Sequence, residues 1–135
     1  MSNYFDTFIQ AADDSPASAG TVPQPKGGRK TVAVIQYELL TNEPYTYTQE
    51  EVLFETHLRH KSLEPTEAER DELRSAFFAQ PKACLRASPL PKGYGWGVHF
   101  DAEGKVALYG VESGGYRHLT ESGAKQLRAM RSKRS

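Results

Sequence analysis

The chain has 135 residues, 17 basic and 17 acidic side chains, and a net charge of zero. That length supports one domain around one core, and the charge balance argues against a general binder of nucleic acid. One cysteine, Cys84, rules out an internal disulfide and fits a reducing compartment. The opening residues lack a basic flank and a long apolar run, and no stretch approaches the ~18 apolar residues of a membrane span. The expectation is a cytoplasmic, soluble, single domain over 1–135, with no membrane partner.

Residues 3–10, "NYFDTFIQ", alternate apolar and polar side chains around Phe5 and Ile9 and predict a short strand. Residues 12–30 are rich in Ala, Ser, Pro and Gly and predict a long loop or mobile arm. "TVAVIQYELL", residues 31–40, is β-branched and apolar on both faces in its first half, which predicts a central strand. Thr48 with Glu51, and Thr66 with Glu69, have the spacing of capping boxes. They predict helices over 49–61 and 67–79, with Val52, Leu53, Phe54 and Leu58 inward on the first and Leu73, Ala76 and Phe77 inward on the second. Pro81 ends the second.

Residues 84–93 carry Pro89, Pro91 and Gly93 and predict an extended, kinked connection. "YGWGVHF" then predicts a strand paired to "KVALYGV" through a three-residue turn with Gly104 in the left-handed region. That register opposes Phe100 to Val106, His99 to Ala107, Val98 to Leu108, Gly97 to Tyr109 and Trp96 to Gly110. Because opposed residues share a face, Trp96, Val98, Phe100, Val106 and Leu108 gather on the core side. Gly95, Gly97, His99, Ala107, Tyr109 and Val111 gather on the other. Tyr109 is expected to cover Gly97, and Trp96 to cover Gly110. Whether the glycine-lined face is a pocket or is filled by the protein itself stays open. "LTESGAKQLRAMRSKRS" predicts a C-terminal helix from about Thr120, with a basic tail over 130–135.

Charge is uneven along the chain. Residues 38–72 hold ten acids against Arg59, Lys61 and Arg70, while residues 113–135 hold six bases against Glu121. The simplest expectation is that the two segments attract each other within the fold.

Among candidate chemical groups, Cys84 with His99, oriented by Glu112, has the residue types of a thiol nucleophile and its base. A lone cysteine is more often a small buried hydrophobe, and the structural role is preferred here. Arg86, Ser88 and Lys92 have the types of an anion site. His57 and His60 lie three apart on the first acidic helix, but two histidines without a third ligand do not define a metal site. No cofactor or metal signature is present.

"CLRASPLPKGYGWGVHF", with "GKVALYGVES", "NYFDTFI", "NEPYTYTQEEVLF" and the ending "AMRSKR", resembles a family of small, functionally uncharacterised, chiefly bacterial proteins. Its members carry C-L-R-x-S-P-L followed by Y-G-W-G-[IV]-H. The resemblance spans nearly the whole chain and implies one full-length domain without implying an activity. "ESGGYRHL" departs from it, since acidic residues are expected after Ser113.

The fold expected is α+β: an antiparallel sheet of three or four strands, two acidic helices on one face, and a C-terminal helix. The function expected is a non-catalytic ligand-binding or protein-interaction module using the 84–99 connection and the hairpin. Its candidate binding residues are Arg86, Ser88, Lys92, His99 and Tyr109, and its partner is an unidentified small molecule or protein. The alternatives are a small enzyme using His99 with Cys84 or Arg86, and a nucleic-acid binder through the basic C-terminal helix. Nucleic acid is the less favoured partner, and the oligomeric state is open.

Overall fold

A computed structural model describes residues 3–132. The element order is β1 (Thr7–Gln10), α1 (Val32–Asn42), α2 (Gln49–His60), α3 (Glu67–Phe78), a 3-10 turn (Leu85–Ala87), α4 (Pro89–Gly93), β2 (Trp96–Phe100), β3 (Val106–Gly110), α5 (Gly114–Thr120) and β4 (Lys125–Arg128). The four strands form one sheet in the order β3-β2-β1-β4. Its pairs β1/β2 and β2/β3 are antiparallel, and β1/β4 is parallel. The fold is therefore α+β with a mixed sheet, which corrects the wholly antiparallel expectation.

The hairpin has the expected register, from Trp96 opposite Gly110 to Phe100 opposite Val106. Gly104 takes φ +79, and Asp101 closes the turn by accepting from the amides of Glu103 and Lys105 on its side chain. One face of the sheet carries Ile9, Val98, Phe100 and Val106. These pack with Ile35, Leu39 and Leu40 of α1 and Val52 of α2 into the main core. Burying such side chains contributes about 1.5–3 kcal/mol each.

Val32–Asn42 is a helix, which replaces the central strand expected over 31–40. Thr31 accepts from the Val34 amide as its N-cap, and Ala33–Gln36 are buried together with Leu39 and Leu40. A helix covered on most sides is apolar nearly all round, so its period vanishes and it reads like a buried strand. The capping boxes open α2 and α3 as expected. The arrangement of the two helices differs from expectation. Only α2 enters the core, while α3 buries no residue fully. Instead α3 packs on the outside of α2: Phe77 meets Phe54 and His57, Arg70 pairs with Glu55, and Arg74 with Glu50. Two of the segment's acids are thus paired within α2 and α3, and, contrary to expectation, among the described residues no ion pair joins the acidic segment to the basic C-terminal one. The C-terminal Arg128 pairs with Asp13.

Residues 84–93 are two short helical turns rather than an extended connection. Ser88 caps α4 by accepting from the Leu90 amide, and Pro89 occupies its first position. The C-terminal helix expected from Thr120 is also absent. Ser113 starts α5 earlier, and α5 ends at Thr120. Lys125–Arg128 then pairs with β1, although Lys, Gln, Leu and Arg all favour helix. Residues 12–30 contain no helix or strand element. They are held at points along their length: the amide of Ala12 donates to Pro91, that of Gly20 to Glu112, and that of Thr21 to Tyr94. Of the basic tail, residues 133–135 lie outside the described residues.

Candidate functional site

The second face of the sheet begins with Phe8 on β1, opposite His99 on β2. Phe8 is fully buried, and the ring of Tyr116 from α5 meets it edge-on at 5.0 Å. Gly97 admits both rings: a Cβ there would lie 2.5 Å from Phe8 Cζ and 2.7 Å from Tyr116 Cε2. The glycine-lined face is thus filled by Phe8 and Tyr116, not by Tyr109 as expected. Tyr109 instead lies against Gly115 in the first turn of α5, where a Cβ would come within 2.7 Å of its ring. Trp96 does not cover Gly110 either, since the Glu112 carboxylate occupies that space. Trp96 is half-buried. It packs against Gly20 and Tyr37, and its Nε1 donates to the Thr21 carbonyl at 2.9 Å. Trp96 and His99 do point to opposite faces.

Toward the β3 edge, the second face is finished by a residue from far along the chain. After α1, residues 45–48 run beside β3: the Tyr45 amide donates to Val106, and the Val106 amide to Tyr47. Tyr45 takes φ +55, a conformation that costs a non-glycine residue about 1–2 kcal/mol. Its ring crosses the edge of β3 and stands edge-on to His99 at 5.7 Å between centroids. The Tyr45 hydroxyl bonds His99 Nδ1 at 2.8 Å and the Tyr109 hydroxyl at 2.7 Å. Two proton arrangements satisfy this chain. In one, Tyr109 donates to Tyr45, which donates to Nδ1. In the other, Nδ1–H donates to Tyr45, which donates to Tyr109. Nε2 makes no hydrogen bond among the described residues.

Burial pushes the Tyr45 hydroxyl above its ordinary value of 10, and the Tyr109 hydroxyl adds to the rise. Burial pulls His99 below 6.5, opposed by the charges of Asp101 and Asp6. At neutral pH His99 is therefore an uncharged imidazole and Tyr45 a protonated phenol, with Tyr109, Asp6 and Asp101 beside them. Asp6, like Tyr45, has positive φ, at +46. Such a set offers hydrogen bonds, ring faces and a local negative field. It contains no activated nucleophile.

Of the other residues expected at a site, Arg86 is tied to the opposite end of the sheet. Its Nε donates to the Arg128 carbonyl, and its own carbonyl accepts from Met130. β1 lies between that strand and the one carrying His99. Ser88 is buried and donates to Gln36 Oε1 at 2.6 Å. Lys92 lines a shallow groove of about 290 Å³ with Pro89 and Tyr94. Cys84 accepts from the Tyr4 hydroxyl at 3.4 Å, and Tyr4 packs on Phe100. Burial, then the cysteine, pushes the Tyr4 hydroxyl up to about 12. Cys84 therefore faces the core side and His99 the other, so the two do not form a nucleophile–base pair. Glu112 anchors Gly20 rather than orienting the histidine.

His99 and Tyr109 are brought together, and the residue that joins them was not anticipated. Tyr45 stands in "NEPY", and its one sequence signal is a tyrosine immediately after a turn proline. No curated protein and no solved structure matches the chain. The chain belongs to a family of unknown function, DUF6157, whose match covers residues 1–135.

Proposed function

We propose that this protein is a non-catalytic binding or interaction module whose recognition surface is the His99–Tyr45–Tyr109 cluster at the β3 edge. The observation that carries the reading is the Tyr45 hydroxyl, which bridges His99 and Tyr109 from a backbone held in the left-handed region. Costly backbone conformations cluster at ligand sites, and the one at Tyr45 supports this reading. Tyr45 remains 37% exposed, so its ring is available to a ligand. The chemistry favours a cationic group: ring faces attract cations, and Asp6 and Asp101 add negative charge. The catalytic alternative pairing Cys84 with His99 is less favoured, because Cys84 accepts from Tyr4 on the core side, away from His99.

The test is a nuclear magnetic resonance titration of the folded protein with N-acetyl-arginine amide. Saturable shifts are expected at the ring signals of His99, Tyr45 and Tyr109, weakened in Asp6→Asn. Asparagine tolerates the positive φ at position 6, so that variant keeps the backbone. Shifts absent from these three rings, or spread evenly over the surface, would contradict the assignment.

A further inference from the structure

A second concave surface lies at the other end of α1, a helix roughly 16 Å long. It is an open basin of about 720 Å³ lined by Lys26, Arg29, Lys30 and Thr31 from one segment and Arg59 and Lys61 from another. Five cations from two segments thus converge on one hollow in a chain whose net charge is zero.

The first of these segments is built. Lys26 and Arg29 exchange both backbone hydrogen bonds, at 2.9 and 3.0 Å, across Gly27 and Gly28. Both glycines have positive φ, +57 and +75, which is the two-residue turn that only such residues form readily. The turn fixes the backbone positions from which the two cations project. The second segment has an internal reason to be basic, since Arg59 and Lys61 stand at the C-terminal end of α2 and complement its dipole. That reason does not extend to Lys26, Arg29 and Lys30, which belong to another segment. Among the described residues, Lys30 alone of the five is ion-paired, with Glu38 at 2.9 Å. Bringing like charges together costs Coulomb energy unless an anion joins them.

We infer that the basin binds a small molecule carrying two or more phosphate groups. Its volume suits a small-molecule ligand. Arginine forks and lysine ammonium groups match phosphate oxygens, and the first turn of α1 adds a favourable dipole. His60 is the one ring in the lining, so a platform for stacked bases is missing, and the phosphates rather than a base are what the walls would read.

Isothermal titration calorimetry at low salt tests this with tripolyphosphate and, for comparison, inorganic phosphate. Tripolyphosphate should bind saturably and at least about tenfold tighter than phosphate, as several charge-assisted contacts require. Arg29→Glu and Lys61→Glu, one from each segment, should each weaken it by about tenfold or more. Arg117→Glu on α5, an equal charge change elsewhere, should alter it by less than about twofold. All three positions are exposed, and equal melting temperatures would verify the fold. The milder Lys26→Gln should give a smaller loss. Absence of saturable binding would overturn the inference, as would an equal loss in Arg117→Glu. Tighter binding of a single-stranded oligonucleotide with the same dependence on Arg29 would also overturn it, in favour of nucleic acid.

Discussion

Gly97 shows how one missing side chain organises the second face of the sheet. Phe8 and Tyr116 both close on the space where its Cβ would stand. Phe8 is fully buried and cannot swing away. Gly97→Ala should therefore destabilise the protein by about 1–3 kcal/mol, the usual cost of overpacking a filled core. Gly123→Ala is the matched control, since nothing lies within 4 Å of a Cβ there and no positive φ opposes it. Urea unfolding of the two variants compares them directly, and equal midpoints would refute the packing. His99 makes a second prediction at this scale. Its pKa is depressed by burial, and that of His57 is depressed in the same direction. As pH falls below the ordinary 6.5, the unfolded chain takes up protons that the folded rings resist. Stability should thus be full above about pH 6.5 and decline as pH falls below it. His99→Gln should remove the His99 share of that decline and leave the His57 share. A titration of the His99 ring that gave a midpoint above 6.5 would reverse the sign.

Among the elements, those whose pattern is local were legible in the sequence. The hairpin register followed from period two and the turn ending at Gly104, and the starts of α2 and α3 followed from capping boxes. Those whose identity rests on tertiary contact were not. Burial on several sides hid the period of α1. Pairing with β1 turned the helix-favouring Lys125–Arg128 into β4. The site divides in the same way. Placing His99 and Tyr109 on one face needed only the hairpin, whereas Tyr45 reaches them across 54 and 64 residues. The α3 helix yields the prediction at this scale. It buries no residue fully and is held to α2 by partly exposed ion pairs and by the cation–ring contacts of Arg70 and Arg74 with Phe54. Surface pairs of this kind contribute about 0–1 kcal/mol each. In hydrogen exchange, α3 amides should exchange well before those of α1, α2 and the sheet. Thr66→Ala removes the cap, worth about 0.5–2 kcal/mol, and should speed α3 further while sparing the sheet. Uniform protection across α2 and α3 would show that they open together.

Across the whole molecule, β1 is the element that the rest assembles on. It joins the hairpin on one side and β4 on the other, so the described N- and C-terminal segments meet in one sheet. The sheet's first face is closed by α1 and α2 and its second by α5 and Tyr45, which leaves two surfaces of opposite character. One is the aromatic, acid-flanked edge at His99, and the other is the basic basin at the far end of α1. No helix among the described residues is long and apolar enough to cross a membrane. The recognition role assigned to the edge depends on one hydroxyl joining two distant residues. The ring nitrogens of His99, followed by long-range proton–nitrogen correlation in the intact protein and in Tyr45→Phe, report on that hydroxyl most directly. At neutral pH the ring should be uncharged, and loss of the hydroxyl should shift Nδ1 more than Nε2 while the fold is retained. Identical His99 nitrogen shifts in the two proteins, or a charged ring at neutral pH, would contradict the bridge and the site built on it.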